Sequence, residues 1–267
     1  MKKMSLKKGL KAPVLGVFFA LLILLYIVLE VNVPAIKEVP IAVSADMAGT
    51  KIVQISDGHG RGIKENGRLM RAIRSFSPDM IVLTGDMIDE STTNFSPPLS
   101  AIKTLSSIAP TFFIPGNHER ANPKGDDFIN LVRKNGASVM LNESEMVGDI
   151  ALCGIDDISL KLDDVFQAMS GYGKCDILLS HSPAIYKSIE GLGIPLVFAG
   201  HTHGGQVRLP ILGELILPDK DIPDYLVKGV YSNGETVFHI STGLGTSVAP
   251  IRFMCRAEIN LITLVSE

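Results

Sequence analysis

Residues 196–203, Leu196-Val197-Phe198-Ala199-Gly200-His201-Thr202-His203, pass from a short apolar run through a glycine into His-x-His. Four apolar residues closed by a glycine read as a buried strand. The two histidines behind it sit where a strand gives way to a loop. The same arrangement recurs upstream. A run at 51–56 leads into Asp57-Gly58-His59, 80–84 into Gly85-Asp86, 111–114 into Pro115-Gly116-Asn117-His118-Glu119, and 176–180 into His181-Ser182-Pro183. Five of the six histidines of the chain lie in these motifs. Histidines with purely structural roles would not all collect at strand ends. The placement points to one site built from several loops on one edge of a sheet.

The segments between the motifs set the fold class. Helical spacing of Leu69, Ile73 and Phe76 predicts a helix over 68–76, and further helices are expected at 98–108, 126–135, 163–169 and 184–190. Strands are expected at 139–141, 150–155, 207–209, 237–241 and 258–265 as well as before each motif. Alternating strands and helices with a strand-rich tail predict an α/β domain, two sheets face to face with helices outside.

Each motif has a bland reading beside the chemical one. Asp57 and His59 lie two residues apart, so a continuing strand would point both side chains the same way, and a carboxylate with an imidazole suits a first-row divalent cation. Asp-x-His also occurs by chance. Asp86 suits a turn or a helix cap, or a bridge between two cations about 3.5–4 Å apart. Asn117 offers a hard, neutral amide oxygen, which leaves His118 free to meet substrate, although Asn-His is common in turns. His-x-His behind a buried strand is the more specific signal. Glu119 reads as a helix-start or supporting residue, Arg252 as a substrate contact or a surface salt bridge, and His239, inside a strand, as structural. Cys153, Cys175 and Cys255 have no CxxC spacing and read as free thiols, the first two buried.

Taken in order, Asp57-x-His59, Gly85-Asp86, Gly116-Asn117-His118-Glu119, His181 and Gly200-His201-x-His203 resemble the calcineurin-like metallophosphoesterases, over nearly all of residues 51–267. Gly200-His201-Thr202-His203-Gly204-Gly205-Gln206, with Gly243-Leu244-Gly245 and Pro250-Ile251-Arg252, resembles the membrane-associated bacterial YkuE- and YaeI-like branch. The resemblance implies an αββα sandwich, two mixed sheets flanked by helices, with a dinuclear site for two divalent metal ions (Mn, Fe or Zn). Asp57, His59, Asp86 and His203 would hold one metal, and Asp86, Asn117, His181 and His201 the other, with Asp86 bridging. His118 would be the catalytic histidine at the scissile phosphate. The implied reaction is cleavage of a phosphodiester or pyrophosphate by a metal-bridging hydroxide. Lipid-linked or envelope substrates such as UDP-diacylglucosamine are among the candidates. A general nucleotide phosphodiesterase and a non-catalytic, membrane-tethered metal-binding module are the alternatives. One departure stands out: the family has a bulky apolar residue between the first Asp and His, then His-x-Gly. Here Gly58 stands between them and Gly60 follows His59 directly, which predicts a looser loop.

The N-terminus carries the second signal. Lys2, Lys3, Lys7, Lys8 and Lys11 precede an uncharged, apolar stretch from Ala12 to Leu29, and Val31 and Val33 continue it. A bilayer span needs roughly 20 such residues. A cleaved signal peptide would have a shorter apolar region and a small-x-small site, which Leu29-Glu30-Val31-Asn32-Val33-Pro34 does not offer. The expected organisation is a basic cytoplasmic N-terminus (1–11), a single-pass transmembrane anchor (12–33), a connector (34–50) and the metallophosphoesterase domain (51–267). The lysines favour a cytoplasmic N-terminus and a domain on the extracytoplasmic side of the cell membrane. A net charge of -3 over 267 residues gives no nucleic-acid footprint, so the expected partners are a phosphoester and the membrane. The sequence does not fix an oligomeric state. Ile211, Leu212, Leu215 and Ile216 read as core, with a lipid-facing lip as the alternative.

Overall fold

The computed structural model describes residues 11–156, 162–211, 213–215, 222–247 and 249–266. In chain order the strands are β1 (Ala35–Val43), β2 (Lys51–Ile55), β3 (Met80–Thr84), β4 (Thr111–Ile114), β5 (Ser138–Val139), β6 (Glu143–Val147), β7 (Ile150–Gly154), β8 (Ile177–Leu179) and β9 (Leu196–Ala199). They continue as β10 (Arg208–Leu209), β11 (Gly213–Glu214), β12 (Gly229–Ser232), β13 (Val237–Ile240) and β14 (Glu258–Ser266). The α-helices are α1 (Lys11–Asn32), α2 (Arg68–Phe76), α3 (Ser96–Ser106), α4 (Asn117–Ala121), α5 (Gly125–Lys134) and α6 (Leu162–Met169).

Two six-stranded mixed sheets form, in the orders β1-β14-β2-β3-β4-β5 and β12-β13-β9-β8-β7-β6. β2 through β5 are parallel, as are β7, β8, β9 and β13. Strands covered on both faces are apolar throughout rather than alternating, and every residue of β3, β4, β7, β8 and β9 is buried. Three apolar layers follow from this. Val53, Leu83 and Phe113 pack outward against Met70 and Ile73 of α2, Ile102 of α3 and Phe128 of α5. Ile52, Val82, Phe112, Leu152 and Phe198 meet between the sheets. Cys153, Leu178 and Val197 face Val165 of α6 on the far side. This is the αββα sandwich that the sequence predicts. Each fully buried Leu, Ile, Val or Phe contributes roughly 1.5–3 kcal/mol.

Several local expectations are corrected. The stretch expected as a connector contains β1, which runs parallel to β14 in unbroken register from Ala35↔Glu258 to Val43↔Ser266. Lys37, Glu38 and Pro40 disguise it, and proline is tolerated because β1 is an edge strand. The expected 184–190 helix is a short 3-10 turn, Pro183–Lys187. The 207–209 strand belongs to a two-stranded ribbon outside both sheets. Ile211 and Leu215 are exposed rather than core, while Leu212, Ile216 and the basic stretch 1–10 lie outside the described residues. Cys153, Cys175 and Cys255 are free and buried.

α1 carries a span of high mean hydropathy over Pro13–Asn32. Its side chains are almost all exposed from Val14 to Leu29, so it is not a core helix. Its last turn docks onto the domain. Glu30 is buried and accepts at 3.0 Å from the backbone N–H of Cys255, and Tyr26 meets Phe253 edge-to-face at 5.3 Å. Arg61 donates to the Val31 carbonyl at 2.6 Å and the Leu244 carbonyl at 2.7 Å.

Candidate metal centre

The motif residues leave the C-terminal ends of β2, β3, β4, β8 and β9, where open α/β sheets place their binding crevices. The loops turn sharply there. Asp57, His59, Asp86, His201 and His203 have φ of 52°, 48°, 54°, 69° and 51°. Non-glycine residues avoid this region at a cost of order 1–3 kcal/mol each, and functional sites concentrate such strain.

The turns bring all seven expected metal ligands and His118 into one cluster. Asp57, His59 and His203 offer ligand atoms within 4.8 Å of one another, and so do Asp86, His181 and His201. His59 Nε2 lies 3.1 Å from His203 Nε2, and His203 Nε2 lies 3.6 Å from Asp57 Oδ1. In the second group His181 Nε2 lies 3.2 Å from Asp86 Oδ2, 3.2 Å from Asn117 Oδ1 and 3.3 Å from His201 Nδ1. His118 stands beside both groups, its ring 4.9 Å from that of His59 and its Nε2 3.9 Å from Asp86 Oδ2.

The donor set fits divalent cations. His181 Nδ1 meets the Thr84 carbonyl at 2.7 Å, which turns Nε2 towards a carboxylate oxygen and an amide oxygen. Carboxylate, amide and imidazole groups gathered this closely suit a positive charge among them, and mixed imidazole and oxygen ligands suit Mn, Fe or Zn. The electrostatics agree. Burial would raise Asp86, but the His181 charge and hydrogen bond, with His59 and His118, hold it well below the usual carboxylate range. Burial, with the charges of His59 and Arg252, keeps His203 neutral, the form that ligates a metal. Asp57 is pushed upward by burial, with Asp86 adding to the rise and His181 and His59 opposing it, so its ionised form depends on nearby positive charge.

Residues 50–205 match the family described as calcineurin-like phosphoesterase, more than half of the chain. The chain belongs to the calcineurin-like phosphoesterase family. It is 29% identical to the uncharacterised metallophosphoesterase YkuE of Bacillus subtilis, over 82% of this chain and 80% of that one. It is 30% identical to the phosphodiesterase YaeI of Escherichia coli, over 70% and 71%. A bovine transmembrane protein with metallophosphoesterase domain is 27% identical over 86% of this chain and 57% of its own length. The chain is a metal-dependent phosphoesterase, of a family that uses two divalent metal ions.

The phosphoesterase also uses residues outside the expected set. Asp89, three residues beyond Asp86, places one oxygen 2.5 Å from His59 Nδ1 and 3.8 Å from His118 Nδ1. Burial alone would lower His59, but this hydrogen bond and the charges of Asp86, Asp57 and Asp89 raise it. A second acidic residue after Gly85-Asp86 was the available signal. Glu119 accepts from the backbone N–H of Asp86 at 2.7 Å, of Ile88 at 3.0 Å and of Gly116 at 2.8 Å, so it ties two site loops together. Burial, then the charge of Asp86, pushes it up to about 7. Arg252 is neither a substrate contact nor a surface salt bridge. It is fully buried and donates to the carbonyls of Gly245, Thr242 and Cys255, bracing the loop behind His203. His239 is buried, as expected of a structural residue.

Gly58, the departure from the family pattern, has a local reason. A Cβ there would lie 3.2 Å from the Met87 methyl group and 3.3 Å from its carbonyl oxygen, so Met87 fills that space. The expected looseness is opposed by backbone bonds from Asp57, His59 and Gly60 to the carbonyls of Gly85, Asp86 and Met87.

Proposed function

We propose that the chain is a membrane-anchored phosphohydrolase that cleaves phosphodiester or pyrophosphate bonds in amphiphilic, lipid-linked substrates on the extracytoplasmic side. The observation that carries this reading is a cleft of about 280 Å3 whose walls include His59, Asp89, Arg61 and Val31 of α1. The apolar helix thus ends at the cleft itself, so a phosphoester held in a bilayer needs to travel little to reach His59. Retention of α1, rather than cleavage, is supported by the burial of Glu30 and the Arg61 clamp.

In this reading Asp57, His59, Asp86 and His203 hold one cation, and Asp86, Asn117, His181 and His201 the other. When bound, the two cations polarise the phosphoryl oxygens and lower the pKa of the attacking water. The chain's own residues do the rest. His118, part-exposed at the mouth of the cluster, donates a proton to the leaving oxygen. The backbone N–H of Glu90 donates to the other ring nitrogen of His118, Nδ1, at 3.3 Å and orients the ring. Arg252 and Glu119 hold the loops that carry His203 and Asp86.

The test uses the full chain in detergent, because a start at Lys51 would remove β1. After chelation, a chromogenic phosphodiester and phosphomonoester are assayed with Mn, Zn or Fe(II), beside Asp86→Ala. Diester cleavage that needs metal and disappears in Asp86→Ala supports the hydrolase. Preference for a diacyl pyrophosphate in vesicles over its water-soluble analogue supports the amphiphilic substrate. Equal rates would refute that part, and metal binding without turnover would favour a non-catalytic module.

A further inference from the structure

A second cavity, of about 610 Å3, shares no lining residue with the cleft over His59. It opens beside α1, between the β1–β14 edge of one sheet and the β12–β13 edge of the other, with Tyr26 and Glu30 in its wall. Its depth in the membrane follows from the reading of α1 as an anchor, on which this inference rests. Glu30 stands nineteen positions after Lys11, and these charges bracket the apolar segment. At about 1.5 Å per residue that is about 29 Å, the thickness of the hydrocarbon core of roughly 30 Å. Glu30 then lies at the headgroup level, Tyr26 about one turn inside it, and the cavity between them opens among the lipid headgroups.

The floor is made of unused acceptors. Gln54 spends its amide hydrogens on Thr84 Oγ1 at 3.1 Å and the Ala199 carbonyl at 2.9 Å, so its oxygen must accept. His239 Nδ1, 2.6 Å from that oxygen, therefore carries the proton, and Nε2 is a bare acceptor. His239 is 2% exposed, and among the described residues its Nε2 has no partner. Asn260, 1% exposed, uses its NH2 on Ser241 and keeps its carbonyl oxygen free. Glu258, 8% exposed, uses one oxygen on the Thr242 N–H and leaves the other free. These acceptor atoms belong to residues that line the cavity, where a ligand with N–H or O–H groups would meet all three. The rim is cationic: Lys37, Lys228 and Arg256, the last with Nε bonded to the Val33 carbonyl. Met254 and Val230, each about half exposed, line the mouth and offer an apolar exit for acyl chains.

We propose that this cavity binds the headgroup of a bilayer phospholipid, its phosphate on the Lys37–Lys228–Arg256 rim and a hydrogen-bond-donating terminal group against His239, Glu258 and Asn260. Ethanolamine and glycerol headgroups meet that requirement. Choline does not, because its nitrogen carries no hydrogen.

The full chain is incorporated into nanodiscs of equimolar phosphatidylethanolamine, phosphatidylglycerol and phosphatidylcholine, then transferred to detergent, and retained lipid is measured by native mass spectrometry. The expected result is one retained phosphatidylethanolamine or phosphatidylglycerol per chain, with phosphatidylcholine excluded. The Lys37→Glu/Lys228→Glu double variant, on exposed side chains, is expected to lose at least about tenfold in retention, since each basic residue at a lipid surface is worth about 1 kcal/mol. Its metal-dependent cleavage of a soluble diester is expected to be unchanged. Retention of phosphatidylcholine at equal level, or wild-type retention by the double variant, would overturn the proposal. Extraction of the chain from membranes by alkaline carbonate would overturn it together with the anchor reading. Membrane-bound protein without lipid discrimination would overturn the cavity alone.

Discussion

Glu119→Gln isolates what a buried carboxylate does for the site without changing its shape. Glu119 Oε2 accepts from two backbone N–H groups, Asp86 at 2.7 Å and Gly116 at 2.8 Å, and Oε1 from Ile88 at 3.0 Å. A glutamine has one oxygen. Its best orientation keeps Asp86 and Gly116 and turns the NH2 against the Ile88 N–H, donor to donor. An unsatisfied buried donor costs about 1–3 kcal/mol, and the two remaining bonds lose their charge assistance, roughly half their strength. Against this, removing the charge relieves the burial that pushes Glu119 up to about 7. The net expectation is about 2 kcal/mol. For a domain of this size that is a fall in Tm of roughly 4–8 °C. Thermal unfolding by circular dichroism should be run in chelator, because bound metal would add its own stabilisation. Turnover on a diester, measured after metal is restored, is expected to fall about 10–100-fold as the Asp86 loop relaxes, the usual range for residues that support metal ligands. Glu119→Ala, which orphans all three donors, should be worse in both assays. A Glu119→Gln protein within about 1 °C and twofold of wild type would refute the account of Glu119 as the tie between the loops.

Three further outcomes follow from the geometry. His118→Ala is expected to lower turnover by about 10²–10⁴ while metal content by atomic emission stays near wild type; equal loss of both would make His118 a ligand rather than the acid. Gly116→Ala would drive a Cβ into Asp86 Oδ1, so metal-dependent turnover should drop at least about 100-fold, and normal activity would mean that Asp86 sits elsewhere. Burial lowers His239 from its ordinary 6.5 to about 4. Its contribution to stability is therefore whole above pH 6.5 and lost as pH falls towards 4, roughly 3 kcal/mol in all. Denaturant unfolding at pH 7 and pH 4 should show that loss shrink in His239→Gln, and an unchanged pH difference would contradict it.

The family, the layered fold and the strand-end placement of the eight expected site residues were legible in the chain because they rest on local pattern. Runs such as Met80–Thr84 and Leu196–Ala199 are apolar throughout because both their faces are covered, and β3 and β9 have those bounds. A ligand motif directly behind such a run inherits its place at the strand's end. What was not legible depends on partners distant in sequence. β1 looks like a connector until β14, more than two hundred residues later, supplies its hydrogen bonds. Arg252 looks like a surface charge until carbonyls of Thr242, Gly245 and Cys255 turn inward around it. Asp89 gains its role only because the β3 loop carries it between His59 and His118. Ile211 and Leu215 read as core by composition, yet their ribbon lies outside both sheets and leaves them exposed. Residue type and spacing are properties of the chain. Which donor meets which acceptor, and which apolar face stays uncovered, depends on how the sheets bring remote segments together.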